Sequence, residues 1–175
     1  MAASTSITTY LENVEDDVIL NVLPLAFDYG LYQVLMAFQR GARVVLERGF
    51  TFPHAVLQRA VEEGVTGLPL VPTLASMLLE LDLDRYDLAS LRYLTNTAAA
   101  LPVSHITRLR ARLPHARLYS MYGLTECKRA LYLPPEELDR RPGSVGKAIP
   151  FTEAFVVDEW GERAPTGQVG ELVVR

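Results

Sequence analysis

Five short apolar runs, each followed by a stretch of different periodicity, constrain this chain more than any other feature. They are "DVILNVLPL" (17–25), "ARVVLE" (42–47), "VTGLPLVP" (65–72), "LRYLTNTAA" (91–99) and "ARLYSMYG" (116–123). A strand that is apolar on both faces has to be covered on both faces. Intervening segments of about three helical turns supply the cover. The expected fold is α/β, a mostly parallel sheet flanked by helices. Pro24 is expected to end the first strand, because proline donates no ladder hydrogen bond. Residues 29–42 then place Leu31, Val34, Leu35 and Phe38 at helical spacing, with Gly41 as the stop. Pro53 falls in the first turn of the next helix and Gly64 closes it. Thr73 is the expected N-cap of the helix after that, and residues 102–114 read as the last one.

After about Leu133 the character changes. "LPPEELDRRPGSVGKAIP" holds four prolines and two glycines, which excludes a long helix or strand. Residues 152–175 read as a strand, a turn around "EWGERAPTG" and a second strand, the first antiparallel strands of a small barrel subdomain. The division implied is an α/β part over 1–133 and a loop with the barrel strands over 134–175. The chain stops at Arg175 inside an apolar strand pattern, which is the expectation for a truncated domain.

Composition bounds the function. Hydrophobic residues make up 49% and charged residues 22%, ordinary for a globular protein. The formal net charge of −4 argues against a nucleic-acid partner. The basic run "RLRARLPHAR" does not reverse this, because Leu109 and Leu113 lie on one helical face and leave a solvated basic face opposite. A single cysteine, Cys127, excludes an internal disulfide framework and fits a cytoplasmic location. It reads as a half-buried packing residue or a reactive thiol. No signal peptide is evident at the N-terminus. The longest uncharged window, 64–79, is 16 residues with two prolines. That is too short for a membrane span. His54, His105 and His115 show no metal-ligand spacing.

In parallel sheets, ligands bind at the carboxyl ends of the strands. Three clusters fall at such ends: "FDYG" (27–30), "TNTAAALP" (95–102) and "YGLTE" (122–126). In the last, Tyr122 could stack on a planar ring and Gly123 lets backbone come close to a ligand. Thr125 offers a hydroxyl to phosphate, and Glu126 a hard oxygen to Mg²⁺. The plain alternative is a strand-to-loop turn with a solvated glutamate.

"LYSMYGLTE" (118–126) resembles the signature of the adenylate-forming superfamily of acyl-CoA synthetases, luciferases and peptide-synthetase adenylation domains. Further segments are similar in the same order: "LPLAFDYGL" at the acyl pocket, "LRYLTNTAAALP" at the nucleotide pocket, "RPGSVGKAIP" before the barrel and "GQVGELVVR" opening it. The resemblance spans nearly the whole chain. It implies an AMP-forming ligase that activates a small carboxylic acid with ATP and Mg²⁺, then passes the acyl group to CoA. It also implies that Tyr122 and Gly123, with Thr97, Ala98 and Ala99, bind the nucleotide. Thr125 would contact the α-phosphate and Glu126 would hold the metal, while Phe27, Asp28 and Tyr29 would bind the acid.

Two departures from the family pattern bear on this. Its paired glycines are Thr97-Ala98 here, which adds bulk beside the adenine position. "FD" at Phe27-Asp28 resembles amino-acid-activating members, in which the aspartate pairs with an α-amino group. Asp28 therefore reads either as an ammonium anchor or as the N-cap of the helix that follows. Tyr29 reads as a pocket wall or as a packing residue. The family's phosphate loop is expected upstream of these residues, and its ribose-binding aspartate and C-terminal catalytic domain downstream. The chain is accordingly expected to keep the fold and part of the pocket without turnover. The competing readings are an amino-acid adenylation domain, a non-catalytic nucleotide- or acyl-binding module, and an assembly piece that pairs with a separate phosphate-loop subdomain.

Overall fold

The computed structural model describes residues 2–175. Helix α1 (Ala2–Tyr10) leads into β1 (Val18–Asn21), α2 (Asp28–Arg40), β2 (Arg43–Leu46), α3 (Pro53–Glu62) and β3 (Gly67–Leu70). There follow α4 (Pro72–Leu79), β4 (Tyr93–Asn96), α5 (Val103–Arg112), β5 (Arg117–Tyr122), β6 (Leu131–Leu133) and β7 (Lys147–Ala148). The main sheet runs β2-β1-β3-β4-β5-β6-β7; its first five strands are parallel and its last two join antiparallel. β7 carries this sheet past residue 133. Strands β8 (Ala154–Val157) and β9 (Glu171–Val174) form a separate antiparallel pair. The expected α/β fold with a mostly parallel sheet and a small antiparallel unit is what the chain adopts.

The apolar runs form the five parallel strands: β1, β3 and β4 are buried along their whole length, whereas β2 lies at the sheet edge and is partly exposed. Leu20, Leu70, Ala75 and Leu109 are fully shielded from solvent. Among the described residues, no helix is long and apolar enough to cross a membrane.

Local expectations fail where side chains override the pattern. β1 ends at Asn21, three residues before Pro24, because the Asn21 amide takes over from the ladder. Its Oδ1 accepts from Leu23 N at 3.1 Å and its Nδ2 donates to Gly30 O at 3.1 Å. Thr73 is not an N-cap; Val71 holds that position in extended conformation, and Pro72 opens the helix. Gly41 does close α2, at φ +73°. The face α2 turns inward is Tyr29, Gln33, Met36 and Ala37. The Leu31–Leu35–Phe38 face points outward, with Phe38 70% exposed.

Burial raises the phenols of Tyr10, Tyr29 and Tyr93 above the ordinary tyrosine range, Tyr29 to about 12. The folded state thus holds these protons more tightly than the unfolded chain, whose tyrosines titrate near ~10. The stability they confer is complete below that pH and is lost as pH rises through the folded values. Circular dichroism melts are expected to be level up to about pH 9 and to fall steeply above about pH 10. A flat profile to pH 12 would contradict this burial.

Candidate functional site

Because β1, β3, β4 and β5 are parallel, their C-terminal ends share one edge of the sheet. The three clusters follow β1, β4 and β5, so the topology brings them to that edge. A cavity of about 390 Å³ opens between the ends of β4 and β5. Thr97, Ala98 and Ala99 form one side; Ser120, Tyr122 and Gly123 form another; Pro142, Gly143 and Val145 close a third. The five nucleotide-side residues expected from the sequence are thus together. The third wall and the Asn96 and Ser120 contributions were not singled out. "RPGSVG" marks the segment, but its path back to the cavity depends on the β6–β7 hairpin.

The cavity walls contain strained backbone. Ala98 sits at φ +72°, a left-handed conformation that is costly for any residue with a Cβ. The sequence resemblance reads this position as one of the family's paired glycines. Ala98→Gly is expected to stabilise the chain by about 0.5–1 kcal/mol, the relieved strain minus the added chain entropy. The melting temperature should rise by about 1–4 °C, and a fall would contradict the strain.

After Tyr122 the chain makes a tight reversal. Lys128 N donates to Leu124 O at 2.6 Å and Ala130 N to Tyr122 O at 2.9 Å. Lys128 stands at φ +66°, and its Nζ donates to Thr125 O at 2.7 Å. A Cβ on Gly123 would lie 2.1 Å from Lys128 O. The close backbone approach that Gly123 permits is therefore that of its own loop. Thr125 and Glu126 are exposed on this turn, beside the cavity and outside its lining. Cys127 is half-buried and free.

The acid-side residues lie apart from the cavity. Phe27 is 67% exposed. Tyr29 is buried, with its hydroxyl bonded to Thr95 at both the carbonyl oxygen (2.9 Å) and Oγ1 (2.8 Å). Burial pushes its phenol up to about 12, while the nearby Arg129 guanidinium acts in the opposite direction. Asp28 does not cap α2. Phe27 occupies the N-cap position and no side chain caps the helix. The Asp28 carboxylate, 27% exposed, points instead toward Arg129, with Oδ2 and Nη1 3.7 Å apart. Arg129 lies over the Tyr29 ring at 4.6 Å. Sequence reasoning missed it, because an arginine beyond "YGLTECK" carries no local sign that it is buried. The three histidines stay separate, on α3, on α5 and just before β5.

The AMP-binding enzyme family matches the chain over residues 1–175. The chain belongs to that family. The 4-coumarate–CoA ligase 1 of Narcissus pseudonarcissus is 36% identical over 169 residues, covering 92% of this chain and 30% of that protein. The chain spans about 30% of the length of the curated relatives it matches. VinN in complex with L-aspartate superposes with a TM-score of 0.84 at 35% identity, covering 98% of this chain and 42% of the other. The o-succinylbenzoate coenzyme A synthetase of Bacillus subtilis, in complex with ATP and magnesium, superposes at 0.89 with 26% identity, covering 99% and 36%. As an AMP-binding family chain, it carries the family's fold with its own residues at the cavity.

Proposed function

We propose that this chain supplies the adenylate-binding wall of an ATP-dependent, AMP-forming ligase that activates a carboxylic acid and passes the acyl group to CoA. The observation that carries this reading is the cavity at the strand ends, where Thr97, Ala98 and Ala99 meet Tyr122 and Gly123. Relatives named for CoA ligation support the choice of acceptor.

In the proposed reaction a carboxylate oxygen of the substrate attacks the α-phosphorus of ATP. The bond to the bridging oxygen breaks and pyrophosphate leaves. Tyr122 offers its ring to adenine, with the 97–99 segment on the other side. Thr125 and Glu126 are exposed on the adjoining turn, where the hydroxyl donates to an α-phosphate oxygen. Among the described residues no group of three or more histidine, cysteine or acidic side chains could hold a metal alone. One exposed carboxylate suits a magnesium ion carried by the nucleotide's phosphates, so Glu126 fits that role. Magnesium bound there would draw off phosphate charge and lower the barrier to attack.

Titration of the chain with AMP, followed on the Tyr122 ring resonances, is expected to give saturable shifts. Tyr122→Ala should weaken binding by about 1–3 kcal/mol, the usual worth of a base–aromatic stack. Tyr122 resonances indifferent to AMP would refute the reading.

Activation of an amino acid is a second reading, favoured by one observation. Asp28 leaves its helix uncapped and keeps its carboxylate available near the start of α2. VinN, crystallised with L-aspartate, gives this reading a precedent among similar chains.

A further inference from the structure

The amino-terminal edge of the main sheet, opposite the candidate site, holds a second set of polar groups. Arg92 stands just before β4 and Arg117 opens β5. Their backbones are bonded, with Arg117 N donating to Arg92 O at 2.8 Å. Both guanidiniums converge on one residue, Glu12. Arg92 Nη2 donates to its carbonyl oxygen at 3.1 Å, and Arg117 Nη1 to its Oε2 at 2.7 Å. The buried Asp17 holds Arg92 in place through Nη1 at 2.5 Å. A cavity of about 350 Å³ opens here, lined by Glu12, Arg92, Arg117, His115 and the buried Tyr93 and Tyr119. A second, of about 600 Å³, shares Glu12, His115 and Arg117 and continues past Leu113, Pro114 and Pro135. The basic run 108–117 thus ends in a cavity wall.

Glu12 is an unexpected residue at this position. It stands at φ +56°, just past the end of α1. Glu12 N donates to Thr9 O at 3.3 Å and Asn13 N to Thr8 O at 3.0 Å, the pair of bonds that closes a helix around a left-handed residue. Glycine takes that place at least cost, whereas a glutamate there brings a carboxylate to Arg117. The contact itself is loose. The Glu12 side chain is 62% exposed and that of Arg117 57%, and an exposed pair contributes little. The two arginines therefore hold an anion that a better one can displace.

We propose that this edge is a binding site for a small phosphomonoester, with the Glu12 carboxylate as the built-in anion that the phosphate displaces. The Arg117 fork takes two phosphate oxygens in place of Oε2, and Arg92 adds its charge alongside. The organic group lies along Leu113, Pro114 and Pro135. A phosphomonoester brings roughly two negative charges where Glu12 brings one, which favours the exchange. Asp17 does not take part, because its side chain is fully shielded and both its oxygens are filled. Glu136 also lines the second cavity. It disfavours further anionic groups, so the ligand carries one phosphate on an uncharged organic part. The site lies on the edge opposite Tyr122 and stands apart from the adenylate reading.

The Arg117 Nε–Hε resonance reads the site directly. The 175-residue chain is titrated with phenyl phosphate and inorganic phosphate at constant ionic strength, with chloride as the control for screening. Both phosphates are expected to shift the resonance saturably, phenyl phosphate binding about tenfold more tightly through the apolar wall. Glu12→Gln removes the competing carboxylate and should tighten phenyl phosphate by about fivefold. Arg117→Met should weaken it by at least about tenfold. If that variant fails to fold, the wild-type and Glu12→Gln titrations decide alone. A Glu12 that serves only to tie α1 to β5 predicts lower stability for Glu12→Gln with no gain in affinity, and that result overturns the site. A phosphate shift no larger than that of chloride does the same. So does phenyl phosphate that moves the Tyr122 ring resonances and leaves Arg117 unmoved, which would put the phosphate at the opposite edge.

Discussion

Asp17→Ala is expected to destabilise the chain by roughly 1–3 kcal/mol, the cost of leaving buried donors without their acceptor. The Asp17 side chain is fully shielded. Its Oδ1 accepts from Thr66 Oγ1 at 2.7 Å and Arg92 Nη1 at 2.5 Å. Its Oδ2 accepts from Val14 N at 3.0 Å and Asn13 Nδ2 at 3.1 Å. One carboxylate thereby ties the entry to β1 to the entries of β3 and β4. Its loss removes the acceptor that four donors share at the amino-terminal edge of the sheet. Asp17→Asn retains an acceptor but not the charge, and should fall between wild type and alanine. Urea unfolding measures both, and a loss under about 1 kcal/mol for alanine would mean that water replaces the carboxylate with ease.

Gly123→Ala is expected to be the most damaging change at the site itself. The added Cβ would meet the Lys128 carbonyl oxygen at 2.1 Å and Arg129 Cα at 3.0 Å. Both are backbone atoms that cannot swing aside, so the reversal from 123 to 129 has to open. Overpacking of this kind costs about 1–3 kcal/mol. The larger consequence is functional, because Tyr122, Thr125, Glu126 and Arg129 all take their positions from that turn. AMP shifts at Tyr122 should disappear in a chain that still melts cooperatively. Gly143→Ala is the matched control. Gly143 also lines the cavity, but a Cβ there meets nothing within 4 Å. Equal losses in the two variants would contradict the steric account.

Much of the architecture was legible in the sequence because the central parallel strands are buried on both faces. Their apolar runs carry no alternation and stand out from the helices between them. α1 was not: "STSITT" is poor in strong helix formers, and the helix exists because Ile7 and Tyr10 are buried, with Tyr10 stacked on Tyr132 at 4.1 Å. α2 was read as a helix with the right stop but the wrong inward face. Its Leu31–Leu35–Phe38 stripe is the more hydrophobic, yet Tyr29 and Gln33 are the residues with hydrogen-bond partners inside, at Thr95 and Tyr29 O. At the cavity, the 97–99 and 122–123 segments were legible as motifs, whereas Asn96, Ser120 and the 142–145 wall were not.

Sequence alone determined that five apolar runs make a parallel sheet and that three polar clusters share one of its edges. Both follow from periodicity and chain direction, which are local properties. Only the tertiary structure decided that Asp28 turns from its own helix end to Arg129, and that Arg129 is buried with its fork largely unfilled. Burial and pairing of a charge depend on residues about a hundred positions away, brought together by the sheet, and no local pattern encodes them.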